Sequence, residues 1–247
     1  LYSSARNEYM IERMKRLLTR TIWALTKQLE AGDFVPVAYE MRFENGKIDR
    51  VDLCKDKDKV YVKVLDYKTG SKAFDVVALY HGLQLQLMVY MDAAVKMTQK
   101  HYPDSEVIPA GVFYYRLNDP LVEKKVVGEE EEIWQKVLKE LKVDGVMNLK
   151  DETLEHLDHC QAGESAVIPV KYNKNGSLSK NSKVASEQEF EVMMRHALGK
   201  VLKVHRKILS GEVAAFPYRR KQESGCDYCA YRHICGFDQK IPGYKYR

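Results

Sequence analysis

The sequence predicts an α/β fold with a cysteine-rich C-terminal segment. Three features carry that reading: an alternating strand from Lys59 to Lys68, long amphipathic stretches near both ends of the chain, and Cys226, Cys229 and Cys235 packed into ten residues. Side chains alternate faces along a strand, so Val60, Val62, Val64, Asp66 and Lys68 share one face and Tyr61, Lys63, Leu65 and Tyr67 the other. The apolar face therefore ends in a carboxylate and an ammonium.

The chain has 247 residues, 45% of them hydrophobic, enough for one large domain or a core with an appendage. A formal charge of +5 is mildly basic and permits nucleic-acid binding without demanding it. No run of about 18 apolar residues exists to span a membrane, so the expectation is a soluble, cytoplasmic protein. The start, Leu1-Tyr-Ser-Ser, lacks an apolar signal region and reads as the inside of a longer chain. Five cysteines, three of them clustered, fit a metal or cluster site in a reducing compartment better than a disulfide framework.

In chain order, apolar residues at spacings of three and four predict a first helix from about Ser4 to Gln28, ended by Gly32-Asp33. Its Arg13, Lys15, Arg16, Arg20 and Lys27 form a basic face, read as a solvated surface rather than a phosphate track. Phe34 to Phe43 is the first strand, with Glu40 an additional candidate metal ligand, and Ile48 to Leu53 the second. A helix is expected from about Val76 to Gln99, then a turn at Tyr102-Pro103-Asp104 and a strand from Ala110 to Arg116, whose arginine is expected to pair with Asp119. Glu129 to Lys142 has the acidic start and basic end that suit a helix dipole. A short helix over Asp151 to Cys160, an extended Ala166 to Lys171 and a loop over 173–183 follow; that loop reads equally as a DNA-facing or a plain connection. Ser186 and Glu189 form a capping box for a helix to about Leu209, whose stripe from Phe190 to Ile208 is expected to be core.

The chemistry is sought where strands converge. If Asp49, on the second strand, and Asp66, on the third, lie on neighbours in one sheet, they can share one cation. Such an oxygen-lined site suits Mg²⁺ or Mn²⁺, which keep positions open for a substrate phosphate and lower the pKa of a bound water. Lys68 can orient that water or stabilise developing negative charge. Gln86 and Tyr90, four residues apart on a helix, lie on one face and can hydrogen-bond the water or a phosphate.

The ordered set Gly46-x-x-Asp49, Asp66-Tyr67-Lys68 and Gln86-x-x-x-Tyr90 resembles the successive motifs of the PD-(D/E)xK nucleases, in their RecB-like branch. The wording Lys-Ile-Asp-Arg-Val-Asp, Leu-Asp-Tyr-Lys-Thr-Gly and Leu79-Tyr-His-Gly-Leu-Gln-Leu-Gln-Leu87 is similar to the C-terminal nuclease domain of the AddB family, which forms one half of the AddAB helicase-nucleases. The resemblance implies a restriction-endonuclease-like mixed sheet flanked by helices, over residues 1–215, followed by a cysteine-rich iron-sulfur-type segment over 216–247. It implies a magnesium-dependent exonuclease that hydrolyses single-stranded DNA during double-strand-break repair, in a heterodimer with an AddA-type partner. Asp49, Asp66 and Tyr67 are then metal ligands, Lys68 assists the water, and Gln86 and Tyr90 position it. No Gly-x-x-x-x-Gly-Lys-Ser/Thr run is present in the chain.

In the C-x₂-C-x₅-C run, zinc can take the three thiolates with His233, whereas an iron-sulfur cluster wants a fourth cysteine. The resemblance implies the cluster, with one cysteine ahead of the nuclease motifs. Here no cysteine precedes Asp49, and Cys54 and Cys160 read as ordinary cysteines, so an incomplete or lost cluster is expected. Two further readings remain: a stand-alone RecB-like exonuclease of the CRISPR-adaptation type, and an inactive DNA-binding module held by a cysteine metal site.

Overall fold

A computed structural model describes residues 4–44, 46–70, 73–120 and 130–246. The chain divides into two compact units, Leu1–Lys200 and Val201–Arg247.

The first unit is built on a six-stranded mixed sheet in the order β1-β2-β3-β4-β5-β6. It consists of β1 (Val35–Phe43), β2 (Gly46–Asp56), β3 (Lys59–Lys68), β4 (Glu106–Arg116), β5 (Asp144–Asn148) and β6 (Val184–Ala185). The first three strands form an antiparallel meander, and β3 meets β4 in parallel after a helical crossover. Helices cover both faces. On one side α1 (Ala5–Glu30), α4 (Glu130–Glu140) and α5 (Asp151–Leu157) supply Ala24, Val137, Leu138, Leu154 and Leu157 to a core with Tyr61, Leu65, Phe113 and Tyr115. On the other, α2 (Val76–His81), α3 (Gln86–His101) and α6 (Glu187–Leu209) bring Leu79, Leu87, Met88, Met91, Phe190 and Ala197 onto Val60, Val62, Val64 and Tyr114. The alternation expected along β3 is therefore realised, with even-numbered valines in one core and Tyr61 and Leu65 in the other.

Several expectations need correction. The helix expected from Val76 to Gln99 is two helices, because Gly82 adopts φ 84° and caps α2 through bonds from its amide to Ala78 and Leu79. That break leaves Leu83 outside either helix. β5 and β6 were not anticipated; they are five and two residues long, too short to display a period. Residues 166–171 form no strand, only an isolated bridge from Glu164 to Lys171. The α4 start at Glu129 lies outside the described residues. Asp119 pairs with Arg20 and, at 3.7 Å, Arg16, so Arg116 instead approaches Asp144 at 3.9 Å. The capping box holds: Ser186 N–H donates to Glu189 Oε2 at 2.7 Å, and Glu189 N–H to Ser186 Oγ at 3.3 Å. The stripe behind it is core only in its first half, since Val201, Leu202, Val204 and Ile208 are exposed. On α1 likewise Thr21 and Ala24 are buried, while Met10, Met14, Leu18 and Ile22 stay exposed.

The second unit carries a small hairpin, β7 (Arg219–Arg220) with β8 (Glu223–Ser224), that leads into the cysteine run. Among the described residues no helix is long and apolar enough to cross a membrane.

Candidate metal centre

The β2–β3 ladder opens at one end onto the candidate centre. Its last couple there is Arg50 opposite Leu65, and Asp49 and Asp66 are the next residue on each strand. Asp49 reaches across: its Oδ2 accepts the Tyr67 backbone N–H at 2.9 Å. The two aspartates thus lie on adjacent strands, joined by one hydrogen bond between carboxylate and main chain.

Asp66 is only 1% exposed and sits at the hub of a network. Its Oδ1 accepts from Gln86 Nε2 at 2.9 Å, and its Oδ2 is in ion contact with Lys68 Nζ at 2.5 Å. Lys68 in turn donates to Gln86 Oε1 at 2.9 Å, and Gln86 Nε2 also reaches Tyr90 Oη at 2.8 Å. Gln86 is the first residue of α3, so Gln86 and Tyr90 project from its opening turn beside the end of β3. The break at Gly82 is what starts α3 at that point. Tyr90 packs edge-on against Phe43 at the end of β1, with ring centroids 5.7 Å apart.

The electrostatics follow from burial. Desolvation, reinforced by Asp49, holds the Asp66 carboxyl above the ordinary carboxylate range, and the Lys68 ammonium only partly opposes it. A buried carboxylate facing a second carboxylate is a donor set that a hard divalent cation would satisfy. Tyr67 cannot contribute its phenol: its ring packs against Tyr115 at 5.8 Å, on the opposite face of β3, leaving its backbone carbonyl as the atom to offer. Glu40, exposed and with φ 52°, pairs with Lys47 rather than with this cluster.

Three neighbours were not singled out from sequence. Tyr114 stands beside Asp66 in the β3–β4 register, and its ring lies 5.6 Å from Lys68 Nζ. Burial, with Asp66, Asp144 and Tyr90 adding to it, pushes its phenol up to about 12, so it remains a proton donor. Asp144, paired with Tyr114 on β5, accepts the Phe74 amide at 2.7 Å and ion-pairs with Lys183. Gln84 accepts from Asp75 N–H at 3.0 Å and donates to Ala73 at 2.8 Å, which fixes the segment leading into α2. The signal of Tyr114 and Asp144 was beyond local pattern, because they meet the site through strand order.

In the second unit Cys226, Cys229 and Cys235 line one cleft of about 340 Å³ with Arg219 and Arg232; His233 is not among its lining residues. Ser224 shapes the approach, accepting the Cys226 amide on its Oγ at 2.9 Å. Cys54 is buried in the sheet, and the Cys160 thiol donates to Ala162 O at 3.2 Å.

Comparison with known proteins places the chain among nucleases. The family model described as the PD-(D/E)XK nuclease superfamily matches residues 1–236. The chain is 40% identical to the AddB-type subunit of the ATP-dependent helicase/deoxyribonuclease of Lachnoclostridium phytofermentans, and the match covers 100% of this chain and 23% of that protein. It is 33% identical to the protein of the same name from Clostridium kluyveri and 31% identical to that from a Thermoanaerobacter species, with the same coverage. The chain therefore spans about a quarter of the length of these relatives. With the mixed sheet, the three motifs in order and a family match over nearly its full length, the chain belongs to the PD-(D/E)XK nuclease superfamily.

Proposed function

We propose that the chain is the nuclease domain of an AddB-type helicase-nuclease subunit, a magnesium-dependent exonuclease that hydrolyses single-stranded DNA in double-strand-break repair. The observation that carries this reading is the convergence of Asp66, Lys68, Gln86 and Tyr90 in one hydrogen-bonded cluster with Asp49 fastened beside it. Asp49, Asp66 and the Tyr67 carbonyl would hold Mg²⁺ or Mn²⁺, which when bound lowers the pKa of water and offsets charge on the phosphate. Asp66 supplies a carboxylate whose burial and like-charged neighbour favour a cation. Lys68, released from part of its contact with Asp66, turns an ammonium proton to the attacking water or to the developing phosphate charge. Gln86 holds Lys68 through its carbonyl and Asp66 through its amide, which fixes the distance between the two. Tyr90 receives the second amide proton and locks that orientation. Arg116 and Lys183, both beside Asp144, add positive charge for a DNA strand.

The names of the relatives support DNA as substrate and an AddA-type helicase-nuclease chain as partner. For the tail, three thiols around one cleft furnish three of the four ligands of an iron-sulfur cluster. The cluster's part in the longer protein is structural.

The test is cleavage of a labelled single-stranded oligonucleotide with and without Mg²⁺. The chain is expected to cleave only with the metal, Asp66→Ala to abolish cleavage, and Lys68→Ala to slow it by about 10²–10³-fold, the loss typical of one transition-state stabiliser. Undiminished cleavage by Asp66→Ala would overturn the assignment, and an inert wild-type chain that still binds the strand would favour the inactive DNA-binding module.

A further inference from the structure

We infer that Asp33, Cys54 and His156 form a second metal site, of zinc type, on the sheet face opposite Asp66, with His159 hydrogen-bonded to its Asp33. One donor atom from each of Asp33, Cys54 and His156 lies within 4.8 Å of the other two. His156 Nδ1 is 2.8 Å from Asp33 Oδ2, and His159 Nε2 is 2.9 Å from Asp33 Oδ1. The four residues come from separate places: the turn after α1, the last residues of β2, the last turn of α5 and the segment just beyond it. One thiol, one imidazole and a carboxylate are borderline-soft, mixed donors that suit zinc and not the hard ion proposed for the Asp49–Asp66 centre, and three protein ligands leave the fourth position to water.

The scale of the cluster also fits. Zinc bond lengths of 2.0–2.3 Å set the edges of a ligand tetrahedron at about 3.3–3.8 Å. The His156–Asp33 contact would open by roughly half an ångström and the thiol would close by about one at most, both within side-chain reach. The other ring nitrogen of His156, Nε2, lies 3.9 Å from Asp56 Oδ2, beyond hydrogen-bond distance but close enough to add negative charge beside the site.

The backbone holds these donors in place without a metal. Asp33 N–H donates to His156 O at 2.8 Å and His159 N–H to Ala31 O at 2.7 Å. The two segments touch so closely that a Cβ on Gly32 would meet His156 O at 2.4 Å and Leu157 O at 2.6 Å. Cys54 is 4% exposed and completes the cluster from beneath. The ion would clasp the α1–β1 corner to α5, a structural role separate from phosphodiester chemistry.

The test is a Co²⁺ titration of the full chain with Cys226, Cys229 and Cys235 changed to Ser, which removes the other thiolate cluster. The expected result is a sulfur-to-cobalt charge-transfer band that saturates at about one equivalent, is displaced by Zn²⁺ and is lost in Cys54→Ser. Because oxygen ligands give no such band, cobalt at Asp49 and Asp66 does not mimic it. His159→Ala, at an exposed position that leaves the core intact, should weaken Co²⁺ binding by about tenfold or more. Absence of the band, its survival in Cys54→Ser, or unchanged affinity in His159→Ala would overturn the site and leave an aspartate–histidine hydrogen-bond network alone.

Discussion

At the scale of single residues the candidate centre holds a buried charge that opposes folding. Asp66 carries it. Burial and Asp49 raise its folded pKa above the unfolded value, so the stability this group contributes is present at low pH and lost as pH rises through the raised pKa. In metal-free protein at neutral pH, Asp66→Asn should therefore melt at or above the wild-type temperature. Added Mg²⁺ should raise the wild-type melting temperature and leave Asp66→Asn unmoved, because only the ionised carboxylate gains from the ion. Differential scanning calorimetry with and without Mg²⁺ reads both arms; a variant that melts well below wild type without metal would contradict this account of Asp66. Gln86 was legible from spacing alone, but its job was not: that its amide bridges Asp66 and Tyr90 while its carbonyl takes Lys68 follows only from the docked helix.

Among the elements, the β2–β3 hairpin joins site to scaffold. On the face opposite Asp66 it buries Arg50, Asp52 and Lys63, at 3%, 0% and 8% exposure. Arg50 grips Asp52 through Nε at 2.6 Å and Nη2 at 2.8 Å, and Lys63 meets the same carboxylate at 2.9 Å. Burial pulls the Lys63 pKa down and Asp52 pushes back, so this one carboxylate balances two buried cations. Removing it strands both, and Asp52→Ala should cost about 3–5 kcal/mol in chemical denaturation, the range for breaking a buried ion pair. A loss below about 1 kcal/mol would mean that water enters and solvates the pair. The hairpin's parity was readable because each strand is long and half apolar. Its charged triad was not, since Asp52 and Lys63 meet only through cross-strand register. The helix split at Gly82 was missed for a related reason: apolar periodicity runs through a glycine that the backbone turns into a left-handed cap.

On the scale of the whole molecule, sequence pattern set out the α/β architecture, the first three strands and the order of the three nuclease motifs, because those signals are local. What it left out is what strand order brings together: β5 and β6, Tyr114 and Asp144 beside the centre, and the Asp33–Cys54–His156 cluster. The exposed second half of the α6 stripe shows the same limit, since an amphipathic period records a face and not its partner. The chain spans about a quarter of its relatives, and the proposed helicase partner, strand and cluster belong to that larger assembly. The account rests nonetheless on one local claim, that Asp49 and Asp66 share a divalent ion beside Lys68. The most direct measurement is anomalous diffraction from crystals of the chain grown with Mn²⁺. The account predicts a peak bonded to carboxylate oxygens of both Asp49 and Asp66 and to the Tyr67 carbonyl; a peak bonded to neither aspartate, or to one of them alone, would contradict it.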